Sequence, residues 1–397
     1  MRIGFLFNHD QIHQVAHSLP IALAMAERGY PGDLIVATTT PALAQEVRRL
    51  GGAHIGTTIQ HVELAPSALS RSMDAVLGKV VPAAKLLIYR DNLGFFRSLD
   101  VLVVAEKTSL ILRKRYGLTN LAFIHTRHGA GDRAIGFDKA SAGFDHVLCS
   151  GGKIRDRLVA EAGLDPARIS VVGYPKFDVV RDREPKRFLP AAEKVVLYNP
   201  HCSPHLSSWY RHGHDVFEHF LGDQKVGLLF APHVMLFQRD LVFTIDRLRI
   251  DKPGAIPPRF LRGENIKIDL GSRASTDMSY TLAADIYLGD ASSQIYEFLL
   301  RPRPCIFLNS HGHAWRNDPN FLHWNAGEVI GSPDELPAAI ERAGALHARH
   351  YRQVQEDLFA RSFDLTTTPS SVRAAEAIAA FVERRSGMVT TRTLAAA

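Results

Sequence analysis

The sequence predicts an α/β protein built in two halves, each a parallel sheet covered by helices. Three observations carry that expectation. Short apolar runs alternate with amphipathic stretches from the first residue onward. Polar loops rich in Gly, His, Ser and Asp follow many of those runs, at the strand ends where sites of such sheets lie. The chain, at 397 residues, is too long for one ordinary core and suits two domains.

In order, residues 2–7 read as the first strand, 8–13 as a polar turn, and 14–28 as a helix ending at Gly29. Pro20 is expected to kink or delay that helix. Residues 34–37 form the next strand, and the Thr38–Thr40 and Pro41 run opens a helix to Leu50. Residues 66–94 are less regular. Arg71, Lys79, Lys85 and Arg90 among apolar neighbours suit either a basic helical pair at a membrane surface or a solvated pair of helices. Strands follow at 101–105 and 121–124, the latter running into the His-, Arg- and Gly-rich loop 125–133. Further strands at 146–149 and 169–172 lead to Gly173-Tyr174-Pro175-Lys176-Phe177-Asp178. The polar run 181–193, with Pro185 and Pro190, reads as a linker.

The second half repeats the alternation. Strands at 194–198, 226–230 and 266–270 are each followed by a polar loop: 199–208, Ala231-Pro232-His233 and Gly271-Ser272-Arg273. Residues 285–289 form a strand, Asp290-Ala291-Ser292-Ser293 a turn, and 294–300 a helix stopped by Arg301-Pro302-Arg303-Pro304. A strand feeding a Ser-Ser N-cap turns amides and hydroxyls toward one point, which suits a phosphate or diphosphate; an ordinary cap is the alternative. Ser332-Pro333-Asp334-Glu335 is a capping pattern, 370–385 a last helix, and 388–397 a frayed end. The domains expected are 1–180, 194–365 and a C-terminal helix with its tail, 366–397.

A net charge of +6 allows an anionic partner, but no long basic block argues for nucleic acid. No apolar run is long enough to span a bilayer, and the first residues read as a strand rather than a signal peptide. Cys149, Cys202 and Cys305 fit no zinc spacing and suit a reducing, cytoplasmic setting. Pro204 between His201 and His205 argues against a helical metal pair, and His311-Gly312-His313 is a weak metal signal, so neither metal nor cofactor is expected. No Gly-x-Gly-x-x-Gly follows the first strand, which argues against a nicotinamide enzyme.

Four motifs in order resemble the CDP-glycerol glycerophosphotransferase family, the teichoic-acid and capsule polymerases. They are His128-Gly129, the run Gly173 to Asp178, Pro232-His233, and Asp290-Ala291-Ser292-Ser293 with Glu297-Phe298. The resemblance spans residues 128 to about 310. It implies a GT-B fold of two Rossmann-like domains facing a central cleft, an N-terminal acceptor domain and a C-terminal nucleotide-donor domain. Two departures stand out: Ala130-Gly131-Asp132-Arg133 follows His128-Gly129 where the family has Thr-Pro and a Lys, and Ala291 replaces a tyrosine.

The implied reaction moves glycerol phosphate, or a related polyol phosphate, from a CDP-activated donor to a hydroxyl of a cell-surface polymer or lipid-linked acceptor. The implied setting is the cytoplasm with peripheral contact at the inner membrane. His128 is the candidate base, with Gly129 allowing close approach of substrate. His233 is the second catalytic candidate, a donor to a phosphate oxygen. Ser292 and Ser293 would hold the diphosphate, Arg273 and Arg133 add positive charge, and Glu297 would accept from a ribose hydroxyl. A glycosyltransferase or epimerase using a UDP- or CMP-sugar, and a non-catalytic binding protein on the same scaffold, remain alternatives.

Overall fold

The computed structural model describes residues 1–8, 12–67, 83–127, 129–221, 225–238, 240–244 and 249–395. His128, Arg71 and Lys79 lie outside the described residues. The chain forms two compact units. Unit 1 comprises Met1–Gly129, Phe137–Asp182 and Ser362–Ala397; unit 2 comprises Ala130–Gly136 and Arg183–Arg361.

Unit 1 contains strands β1 (Arg2–Phe7), β2 (Asp33–Thr38), β3 (Gln60–Glu63), β4 (Val101–Val104), β5 (Ala122–Thr126), β6 (His146–Cys149) and β7 (Ile169–Val171). Unit 2 contains β8 (Lys194–Asn199), β9 (Val226–Phe230), an antiparallel ribbon of β10 (Val242–Thr244) and β11 (Arg249–Asp251), then β12 (Ile266–Ile268), β13 (Ile286–Gly289), β14 (Cys305–Leu308) and β15 (Glu328–Ile330). The sheet orders are β3-β2-β1-β4-β5-β6-β7 and β12-β9-β8-β13-β14-β15, with every pairing parallel. In each sheet the second and third strands extend to one side of the first and the later strands to the other. The order therefore reverses between β1 and β4, and between β8 and β13.

Helices on both faces explain why strands such as Val101–Val104 and Cys305–Leu308 are buried at every residue. Alternate residues Ile3, Phe5 and Phe7 enter one core with Val15, Leu19 and Val36. In unit 2, Val196, Tyr198, Leu228, Phe230, Ile286 and Leu288 pack against Trp209, Val216, Phe217 and Leu336.

The first helix, Val15–Glu27, keeps Pro20 inside it and ends at Gly29, whose φ of 68° favours glycine. The expected frayed end is instead part of a continuous helix, Ser370–Ala395. Its Ala374, Ala375, Ile378 and Val382 form a helical stripe in the core of unit 1. The Gly173-to-Asp178 motif docks this helix. Asp178 accepts from the Ser370 and Ser371 amides (3.2 and 2.7 Å), a carboxylate at a helix N-terminus. Gly173 has φ +81°, and a Cβ there would lie 2.3 Å from Ser370 Oγ. The Ser332–Glu335 capping box forms as expected.

Candidate functional site

Ligands of open parallel sheets bind beyond the strand ends where the order reverses. In unit 2 that point lies between β8 and β13, and the loops there are 200–208 and 290–293. Asp290, directly after β13, organises both. Its Oδ1 accepts from the amides of His201 (2.8 Å) and Ala291 (2.7 Å); its Oδ2 accepts from the amide (2.6 Å) and hydroxyl (2.8 Å) of Ser208. Its carbonyl accepts from Trp324 Nε1 (2.9 Å) and lies 3.0 Å from His323 Nε2. Burial pushes the Asp290 carboxyl up to about 6, while the four donors pull the other way. The Ser208 hydroxyl also meets the buried Tyr198 phenol at 2.8 Å.

The loop so held carries His201, 6% exposed. Its Nδ1 accepts from the Ser203 amide (2.9 Å), which leaves the proton of a neutral ring on Nε2. Yet Nε2 lies 3.0 Å from Arg133 Nη1, and a guanidinium has no acceptor. A donor thus faces a donor. His233, in the loop after β9, stands beside it, ring centroids 5.4 Å apart. Its amide donates to the Pro200 carbonyl (2.9 Å), and its Nδ1 accepts from the Met235 amide (3.3 Å). Its ring proton therefore also belongs on Nε2. Burial, then the Arg133 charge, lowers His233 to about 4; burial, then His233 and Arg133, holds His201 well below the usual imidazole range. Arg133 has no ion-pair partner among the described residues. The arrangement is a sheltered group of N–H donors and one cation.

Arg133 arrives on a segment of unit 2 whose sequence neighbours, Gly129 and Phe137, both belong to unit 1. The adjacent Asp132 anchors it. Its fully buried carboxylate accepts from Tyr296 (2.7 and 2.6 Å) and from the His323 amide (3.1 Å), and lies 2.9 Å from His323 Nδ1. Gly131 packs on Ser293: a Cβ there would sit 2.9 Å from the serine's Cβ.

The structure brings Arg133 and His233 together and adds His201, which the sequence places only in a polar loop. Ser292 is buried and its Oγ accepts from the Gln294 amide (3.4 Å). Ser293 is exposed at the N-cap with helical dihedrals, and its side chain makes no cap bond. The helix it starts, Gln294–Phe298, is shorter than expected, so its dipole contributes little. Glu297 is buried on that helix. Arg273 is exposed after the Ser272 cap beyond the edge strand β12, two strands from the reversal point. Gly129 is the last residue of unit 1 before the Arg133 segment, and the candidate base His128 is outside the described residues. His311 and His313 place their Nε2 atoms 3.0 and 3.3 Å from the carbonyls of Ser207 and His205, bracing the loop. Among the described residues no three His, Cys, Asp or Glu side chains group to hold a metal. Asp132, Tyr296 and His323 carry no motif in the sequence; the position of Asp290 directly after a strand was the one available signal.

No family model and no curated protein matches the sequence. Solved structures are similar. The wall teichoic acid polymerase TagF aligns over 97% of this chain and 89% of its own, at 16% identity and a TM-score of 0.58, and one TagF structure was soaked with CDPG. S. aureus MnaA in complex with UDP aligns over 98% of both chains, at 12% identity and a TM-score of 0.56. The glycotransferase of kitacinnamycin aligns over 95% of this chain and 98% of its own, at 13% identity and a TM-score of 0.53. At these identities the likeness is one of fold. The fold is GT-B, and the polymerase whose family the four sequence motifs resemble shares it. Among the described residues no helix is long and apolar enough to cross a membrane.

Proposed function

We propose that this chain is a transferase that holds the diphosphate of a nucleotide-activated donor at the β8/β13 reversal point of unit 2. The donor is CDP-glycerol or a related CDP-polyol, and the acceptor is a hydroxyl of a surface polymer or lipid-linked chain. The observation that carries the reading is the His201–Arg133–His233 group. The buried His201 Nε2–H faces the Arg133 guanidinium with His233 beside them, Arg133 has no ion-pair partner among the described residues, and an anion accepting from all three would relieve that conflict. The likeness to TagF and the four motifs support the choice of donor.

In this reaction the acceptor oxygen attacks the phosphorus that bears glycerol. The new O–P bond forms as the bond to the CMP oxygen breaks. His128 takes the hydroxyl proton. Arg133 and the Nε2–H of His233 meet the charge that grows on departing CMP, in a pocket whose donors are already oriented. Ser292 and Ser293 line the adjoining turn. Arg273 and Glu297 are assigned to the rest of the donor, and Gly129 to close approach of the acceptor. No metal or cofactor enters this scheme.

The cation group reads a diphosphate rather than a base. A UDP-sugar is therefore the second reading, favoured by the fold shared with MnaA and its UDP. Isothermal titration with CDP-glycerol, CDP, UDP and CMP separates the two. Tight CDP-glycerol and CDP with weak UDP supports the first reading, and preference for UDP the second. Binding of none contradicts both. His128→Ala is expected to keep CDP affinity and lower turnover by about 10²–10⁴-fold; normal turnover would remove His128 as the base.

A further inference from the structure

Asp132 stands where the resembled family has a different loop, and its surroundings give it a role of its own. A closed circuit runs through the site. From Asp132 it passes to His323, whose two nitrogens face a carboxylate at 2.9 Å and the Asp290 carbonyl at 3.0 Å. Both of those partners are acceptors that a ring N–H can serve. From Asp290 it passes through Oδ1 to the His201 amide at 2.8 Å. From His201 it passes through Nε2 to Arg133 at 3.0 Å, and Arg133 is peptide-bonded to Asp132. Tyr296 closes on the same Asp132 carboxylate.

We infer that Asp132 is a positioning residue: its buried pairing with His323 and Tyr296 fixes the 130–136 segment so that Arg133 stands at the anion pocket. Three features support this. The segment is short and flanked by residues of the other unit, so its place in unit 2 depends on its own anchors. The Asp132 carboxylate is fully buried, and such a group stays ordered only when its partners are in place. Gly131 packs against Ser293 with no room for a side chain, so the anchor and the phosphate-side turn are in register. Any loss of Asp132 is therefore felt at Arg133 without altering a group that touches the ligand.

The inference rests on the anion site proposed above, and a double-mutant cycle separates the two. Affinity for CDP and for inorganic pyrophosphate is measured in the wild type, Asp132→Asn, Arg133→Ala and the double variant, with thermal unfolding followed in each. Asp132→Asn is expected to weaken CDP about tenfold, and the double variant to bind no more weakly than Arg133→Ala alone. Losses that multiply would overturn the positioning role while leaving the anion site intact. An Arg133→Ala chain with undiminished affinity, or a wild type that binds neither probe, would overturn the anion site and the positioning role together. Should Asp132→Asn not fold, Tyr296→Phe takes its place in the cycle, since it withdraws a donor from the same carboxylate and leaves the His323 pair.

Discussion

The two sheets reverse order at equivalent points, and both place an asparagine at the end of the first strand. In unit 1 the residue after β1 is Asn8, whose Nδ2 donates to the Tyr89 phenol (2.6 Å) and whose buried Oδ1 has no partner among the described residues. Tyr89 meets Ser109 at 2.9 Å, and the acidic group that acts on this phenol is Glu106. In unit 2 Asn199 ends β8; its Nδ2 donates to the Ala231 carbonyl and its Oδ1 accepts from the Tyr287 phenol (3.3 Å). Beyond it Asp290 gathers four donors and shapes the loop that carries His201. The shared strand order sets where a site lies. The residue after the fourth strand of each sheet differs: Asp290 in unit 2, the apolar Ala105 after β4 in unit 1, and the anion site proposed for unit 2 depends on that carboxylate.

The contrast is sharpest in stability. Asp290→Ala strands the amides of His201 and Ser208 in a dry interior, and is expected to destabilise unit 2 by about 3 kcal/mol or more in chemical denaturation. Asn8→Ala removes one hydrogen bond together with one unsatisfied oxygen, and is expected to change stability by about 1 kcal/mol or less. Equal effects at the two positions would break the comparison, because the reversal point alone would then set the energetics.

Much of this fold was legible in the sequence. Buried parallel strands are short apolar runs, and those at 2–7, 101–104, 226–230 and 286–289 declare themselves by pattern alone. The antiparallel ribbon β10–β11 was not legible, because its strands are too short to show alternation. The site was legible in part. His233 and Arg133 were marked by residue type at strand ends, and Ser292 by its motif. Asp132 and His323 stand 191 residues apart, and neither sits in a local pattern. Only the folded chain makes one the partner of the other. Asp290 reads in sequence as a turn former; its larger part depends on amides that come from a loop 82 to 89 residues earlier.

Proton linkage separates the two reversal points most finely and tests the central claim directly. In unit 2 burial and the Arg133 charge depress His233 to about 4, below its unfolded value near 6.5. Its contribution to stability is thus full above about 6.5 and is lost as pH falls toward 4. An anion held between Arg133 and His233 offsets the cation and raises the imidazole's proton affinity, so the complex takes up protons across that window. CDP-glycerol is the suitable probe, because each of its phosphates carries one ester and the shared anhydride and has no second ionisation near neutrality. We would titrate the protein with CDP-glycerol at pH 6 in two buffers of different ionisation enthalpy. Net proton uptake, with affinity rising from pH 7 to pH 5.5 and both effects reduced in His233→Ala, is the predicted result. Binding without proton exchange and independent of pH, or no binding, would contradict the placement of a diphosphate at this site.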